Sequence, residues 1–385
     1  MLAGGLDPIY RRILSAAHEP FVRVEVWSRG ARIAALSKMD EDDQGDDSLV
    51  YLSGSSVQAT LTAQVSRNLT LNVPWHLYPS ATTDLLNPYD REIRVWRGVR
   101  VAGVTTPYGW QIFRGRIQQV SRDRRIGFTT VTCADRGQDV LDAGFINPQN
   151  SVAGNPLNIE FQRLVRGALP DAEFGVSDTF AETTQALAWE FNRAGAVEEM
   201  FSSAGALWYA LADGKFVARR FPWAIPGAPL LTLADGPGGV VLSAREARSR
   251  SDMYNVVTAT GERLNGDAPV TATAKDDRPG SVTDVNGGFG IKSRLMRRQS
   301  PSTQGGAQGA AEAALRTSIT PTETVGWDQS PDASTELGDV VALDVNDRTG
   351  IIQVISSFSM PLDIGPPMSV QGRSQVIGQV ESGGF

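Results

Sequence analysis

DLLNPYDREIRVWRGV, residues 84–99, is the stretch on which the fold turns. Turn-forming Asn87-Pro88 leads into 92–96 (EIRVW), where apolar Ile93 and Val95 alternate with Glu92 and Arg94 at the two-residue period of a half-buried strand. The same alternation marks 21–27 (FVRVEVW), 57–65 (VQATLTAQV), 69–73 (LTLNV), 112–120 (IFRGRIQQV) and 128–133 (FTTVTC). Turn residues separate these runs, as at Thr106-Pro107 and Tyr108-Gly109. Six or more strands with one apolar face each must bury that face, and a small barrel or sandwich does so economically. Residues 1–148 therefore read as a β domain with a short helix at 8–18 (PIYRRILSAAH), opened near Pro8.

Composition narrows the function. A chain of 385 residues calls for two or three domains, and 41% hydrophobic residues suffice for their cores. The 36 basic and 43 acidic residues give a net charge of -7, well mixed along the chain, so no nucleic-acid footprint is expected. The amino-terminal segment lacks the apolar core of a secretion signal, and no apolar run approaches 18 residues, so no membrane span is expected. One cysteine, Cys133, excludes an intrachain disulfide and fits a buried alternating position.

Beyond Asp135-Arg136-Gly137 the period changes. In 156–169 (PLNIEFQRLVRGAL), Leu157, Phe161, Leu164, Val165 and Ala168 share a helical face between Pro156 and Pro170. A strand at 185–191, a helix at 194–204 and a hairpin of 206–211 with 216–220 follow, Asp213-Gly214 supplying the turn. These make an α+β module over 149–239, closed by the Pro- and Gly-rich stretch 221–239. Residues 240–385 return to strands at 254–260, 270–274, 340–345, 351–358 and 369–376, with one helix at 304–318 and Thr303 as its N-cap. The expected fold is mainly β with an α+β insertion: two small β-barrel domains, the second carrying a helix.

Catalytic patterns are sparse. Two histidines, His18 and His76, and a lone cysteine leave no histidine-rich or thiolate metal site. An EF-hand starting at Asp40 fails at Gln44 and at Tyr51, where a bidentate Glu is needed; 38–47 (KMDEDDQGDD) reads as a solvated hairpin tip. The glycine clusters 236–239 and 287–290 lack the context of phosphate or dinucleotide loops, and 53–56 lacks the nucleophile elbow. Carboxylates are numerous enough that a glycosidase pair stays open. No cofactor and no metal are expected. Arginines cluster at Arg122, Arg124 and Arg125 and at Arg294, Arg297 and Arg298, as surface turns, as ion-pair donors between subunits or, least favoured, as nucleic-acid contacts.

Several runs resemble the minor tail proteins, or central tail hub (baseplate hub) proteins, of long-tailed bacteriophages. Residues 84–103 are similar to the family's Leu-Leu-x-Pro segment and its strand with Arg-Gly, here Leu85-Leu86-Asn87-Pro88 and Arg97-Gly98. Residues 108–123 follow with Gly109 and Phe113, and 127–145 with a strand ending in Asp135-Arg136. The run 57–73, with Arg67 before its second strand, resembles the opening hairpin. In the last third, 254–262, 303–316, 336–344 with its Leu-Gly-Asp turn, and 349–373 resemble the second hub domain.

The resemblance implies a non-enzymatic homotrimer with two related barrels per chain, six barrels forming a ring at the distal end of the virion's tail. Its implied partners are the distal tail protein ring, the tape-measure protein and tail-tip or fibre proteins, with DNA only in transit. No lysin or peptidase domain is expected after the second barrel, and the acidic insertion 38–47 is unusually long for the family. Arg297, Arg298, Ala307, Ala311 and Leu315 are the candidate subunit interface, the small residues allowing close approach to a sheet or a neighbouring subunit. A carbohydrate- or receptor-binding tail module and a cell-wall glycan or peptide hydrolase remain the alternatives.

Overall fold

The computed structural model describes residues 13–14, 18–37, 45–101, 108–125, 127–184, 187–223, 227–251, 253–261, 269–298, 303–319, 322–345 and 347–374. Mainly β is the class observed. The first seven strands are β1 (Glu19–Ser28), β2 (Ala31–Ala35), β3 (Tyr51–Thr60), β4 (Arg67–Pro74), β5 (Arg91–Arg100), β6 (Tyr108–Asp123) and β7 (Phe128–Asp135). They lie in the order β3-β4-β7-β6-β5-β1-β2, all antiparallel. The period-two alternation is what the sheet demands: Ile93, Val95, Leu69, Leu71 and Val131 are fully buried on its inner face.

The last third repeats this order. Its strands are β12 (Leu231–Ala234), β13 (Val241–Ser249), β17 (Thr322–Gln329), β18 (Val340–Val345), β19 (Arg348–Pro361) and β20 (Met368–Ser374). They run β13-β17-β20-β19-β18-β12. In both repeats the second strand of a hairpin (β4 or β17) pairs the last strand of a meander (β5-β6-β7 or β18-β19-β20). In both, the long middle strand shifts register by a bulge, between Ile117 and Gln119 in β6 and between Ile355 and Ser357 in β19. One difference is that β12 lies parallel to β18 whereas β1 is antiparallel to β5.

Two closed barrels were expected, but among the described residues none closes. Instead β3 pairs β19 from Ser357↔Thr60 to Pro361↔Ser56, joining the repeats in one 13-stranded sheet. The cause is the length of β19: its 14 residues extend past β18 and leave an edge that β3 fills. One apolar core accordingly runs through both repeats, from Val24 and Ile93 to Val354 and Met368.

Between the repeats lie α1 (Arg136–Asp142), β8 (Gln149–Asn150), α2 (Leu157–Arg166), β9 (Ala188–Trp189), α3 (Arg193–Ser203) and the hairpin of β10 (Ala206–Ala210) with β11 (Phe216–Arg220). Phe161 is edge-on to Phe201 at 5.1 Å in a core of its own. Gly214 turns the hairpin at φ +82°, a conformation that glycine adopts without steric cost. The strand expected at 185–191 shrinks to β9, with 185 and 186 outside the described residues.

Other expectations need correction. The first hairpin strand ends at Thr60, not 65, because the chain turns at 61–66 with Leu61 buried. The Pro- and Gly-rich stretch 221–239 contains β12, held by β18. The arginine-bearing 293–298 is a strand, β16 (Ser293–Arg298), rather than a turn. The helix α4 (Gln304–Ser318) does not sit on the second repeat. It covers a separate sheet, β15-β14-β16, of β14 (Val256–Gly261), β15 (Val270–Lys275) and β16, inserted between β13 and β17. Most of the expected 8–18 helix and of the 38–47 tip lies outside the described residues; Leu14 is buried in the main core.

Candidate functional site

The two repeats and the α+β module meet around one buried arginine. Arg67 opens β4, where its backbone N–H donates to Asp135 Oδ2 at 2.6 Å. Its guanidinium donates to the Ala210 carbonyl at 2.6 Å and pairs with Glu336. Ser66 Oγ also donates to Asp135, at 2.7 Å, while the other carboxylate oxygen accepts from Gly137 N at 2.8 Å and caps α1. Tyr209 Oη donates to the Leu337 carbonyl at 3.2 Å. Five segments are thereby tied together: the start of β4, the end of β7, the first turn of α1, β10, and the loop 332–339. Burial pushes the Asp135 carboxyl up, opposed by Ser66, Arg67 and Gly137, and pulls the Arg67 guanidinium down.

A cavity of about 170 Å³ adjoins this junction, lined by Arg67, Glu336, Asp339, Trp110, Asp213 and Phe358 among others. It is smaller than the roughly 300–1,000 Å³ of ligand pockets. The arrangement suits a handful of waters bridging polar groups between modules.

Elsewhere the buried carboxylates are held by structural partners. Glu25 accepts from Arg23 at 2.6 Å and Trp27 at 2.8 Å; Glu160 pairs with Arg163 at 2.6 Å. Asp276 pairs with Arg278 at 2.7 Å and accepts from Ser281 and Thr283 at 2.5 Å each. Asp332 caps the turn at Ser334. Among the described residues no group of three His, Cys, Asp or Glu side chains could hold a metal, and no helix is long and apolar enough to cross a membrane.

The candidate interface residues divide. Ala307, Ala311 and Leu315 line the inner face of α4: Ala311 and Leu315 pack on Val257, Ala259 and Ala274, and Ala307 on Val270 and Ala272. Their small side chains bring the helix close to its own sheet, so this face is filled within the chain instead of lying open to a second subunit. Arg297 is exposed on β16, and Arg298 ends that strand. Of the other cluster, Arg122 lies 4.4 Å over the Tyr78 ring, while Arg124 and Arg125 occupy the exposed turn after β6. Cys133 is buried on β7.

Sequence reasoning missed the junction. Arg67 and Asp135-Arg136 stood out as motif residues, but Glu336 lies 269 positions from Arg67, and nothing local signals that they meet. The Arg-Gly signal does have a local cause. Gly98 faces Gly109 across β5 and β6 with the Phe21 ring against both, and a Cβ on Gly98 would lie 2.0 Å from the Tyr108 carbonyl oxygen.

Solved structures of phage tail proteins share this fold over nearly their whole length. The 43 kDa tail protein of prophage MuSo2 from Shewanella oneidensis is 13% identical with TM-score 0.56, covering 92% of this chain and 98% of its own. A tail protein from Neisseria meningitidis MC58 is 11% identical with TM-score 0.60, covering 92% and 96%. Prophage tail protein gp18 from Listeria monocytogenes EGD-e is 10% identical with TM-score 0.51, covering 92% and 95%. No protein-family model matches the chain, and no curated protein matches it. The fold is that of phage tail proteins.

Proposed function

We propose that this chain is the central tail hub subunit of a long-tailed phage, a prophage or a related injection device: a non-enzymatic structural protein of the distal tail. Three copies form a ring, six β repeats around one axis, which adapts the sixfold tail tube and distal tail ring to threefold tip components. The ring is a conduit for the tape-measure protein and for DNA in transit. One observation carries this reading: two repeats of the same strand order, fused edge to edge by the β3–β19 ladder. A repeated unit that already joins its own kind through a sheet edge is suited to tiling around a closed axis. Mild acidity fits a lumen that phosphates must pass without sticking, since net charge of -7 offers no basic track.

Sedimentation equilibrium of the purified protein tests this. A mass three times the 41.4 kDa chain is the expected result. A monomer that binds host glycans would favour the receptor-binding alternative, and turnover of cell-wall substrate would favour the hydrolase.

A further inference from the structure

We infer that copies of this chain join by adding the edge strand β13 of one copy to the open flank of β6 in the next. The inference rests on the hub reading and names the contact that would close its ring. Within one chain β3 and β18 share one side of β19: β18 covers its first half and β3 its second, with β20 on the opposite side. The ladder is reinforced at both ends, where Leu61 N donates to Ser356 O at 2.8 Å and Leu362 N to Ser55 O at 2.9 Å. In the first repeat no strand of the described residues fills the corresponding place. β5 covers β6 only up to Arg116, and beyond it the same side of β6 has no strand partner among the described residues.

The missing strand is identifiable because the second repeat carries the counterpart of β3. That counterpart, β13, pairs β17 on one side and, among the described residues, ends the sheet on the other. It is nine residues long, and Arg245 to Ser249 are all exposed. A long edge strand without cover is a ready template for pairing with another chain. Head-to-tail addition of this kind is heterologous, and such contacts close into rings when the rotation permits.

The register follows from the repeat. The bulged residue Gln118 corresponds to Ser356, so Gln119–Asp123 correspond to Ser357–Pro361. Tracing the ladders outward makes Thr132 the equivalent of Gln371, Thr70 of Gly326 and Ser56 of Arg245. Transferring the observed pairing of Ser357–Pro361 with Thr60–Ser56 then sets Gln119 opposite Ser249 of the next copy. Val120 falls opposite Arg248, Ser121 opposite Ala247, Arg122 opposite Glu246 and Asp123 opposite Arg245.

The register set by the repeat also brings two consecutive pairs of opposite sign together, Arg122 with Glu246 and Asp123 with Arg245. A slip of one residue either way would set Arg122 against Arg245, or Asp123 against Glu246, and like charges directly opposite are unfavourable. Glu246 also pairs with Arg348 of its own chain. On docking, its carboxylate would lie between Arg348 and the Arg122 that stacks on Tyr78.

Disulfide trapping tests the pairing on the full chain. Ser121→Cys with Ala247→Cys places one thiol on each exposed strand, and the buried Cys133 does not compete. Mild oxidation is expected to give covalent species ending at three chains, whereas each single variant and the off-register pair Ser121→Cys with Arg245→Cys stay largely uncrosslinked. Arg122→Glu is expected to weaken trimerisation about tenfold, and adding Glu246→Arg to restore it. A trimer of unchanged strength in all these variants, without cross-links, would overturn the pairing and leave the hub reading intact. Cross-linked open chains longer than three copies would support the pairing and contradict the hub. A monomer at every concentration would overturn both.

Discussion

The first and second repeats share a strand order but treat the outer hairpin strand in opposite ways. In the first, β3 turns Val57 and Ala59 inward beside Phe358 and Met360, and all four are buried. In the second, the equivalent positions of β13 carry Glu246 and Arg248, both exposed. An apolar pair fits an edge that is covered as the chain folds. A charged pair fits an edge that stays in water until another molecule arrives, because exposed apolar edges aggregate. The hairpin turns differ in the same sense: β3 and β4 are linked by residues 61–66, whereas β13 and β17 are separated by the inserted sheet and α4.

The sharpest way to break this comparison is at the junction that fixes one repeat to the other. Arg67→Met leaves the buried side of Glu336 without its ion-pair partner, while the backbone N–H to Asp135 remains, and removing one partner of a buried pair costs about 3–5 kcal/mol. Urea unfolding at neutral pH should show that loss; a change below about 1 kcal/mol would mean the junction does not hold the repeats together.

Next in size is a matched pair of truncations. Phe358→Ala, at the covered β3–β19 seam, should cost about 3–5 kcal/mol, whereas Val120→Ala, its half-buried counterpart on β6, should cost about 1 kcal/mol in the monomer. Equal losses would remove the asymmetry. Ala311→Leu overfills the space between α4 and its sheet and should cost about 1–3 kcal/mol, read as hydrogen exchange confined to the inserted module. Unchanged exchange there would show that the face is not packed as described.

The smallest expected effects are in pH dependence, and they have opposite signs. Burial pushes the Asp139 carboxyl up to about 6, with Arg116 at 2.9 Å opposing. Between about pH 4 and 6 the folded chain keeps a proton the unfolded chain has lost, so stability falls as pH rises through that window. Asp139→Asn should flatten that slope in a series of urea midpoints. Burial also opposes ionisation of Asp276, but Arg278, Ser281 and Thr283 outweigh it and hold its carboxyl well below the ordinary range. Its contribution is present above about pH 4 and lost as pH falls further. Amide protection in the inserted sheet should therefore drop first on acidification, and Asp276→Asn should remove that dependence.

What the sequence made legible was local. Strand period placed β1, β4, β5, β6 and β7 within a few residues, Pro156 and Asp213-Gly214 marked α2 and the hairpin, and Thr303 caps α4 as its position suggests, accepting from Gly306 N at 3.1 Å. What it hid was non-local. β13 (VLSAREARS) and β17 (TETVGWDQ) are too polar or too mixed for apolar alternation to reveal, since β13 has little buried surface to signal. The small face of α4 was compatible with a neighbour of either kind, and only the position of β14 and β15 decides that it faces its own chain. The fusion of the repeats could not be read at all, because β3 and β19 meet across about 300 residues of sequence.

Everything rests on the repeats tiling about one axis, and electron microscopy of the purified full chain along that axis tests it most directly. The account predicts a closed particle with six lobes in three alternating pairs around an open centre. A particle without that threefold symmetry, or a compact one with no central opening, would contradict it.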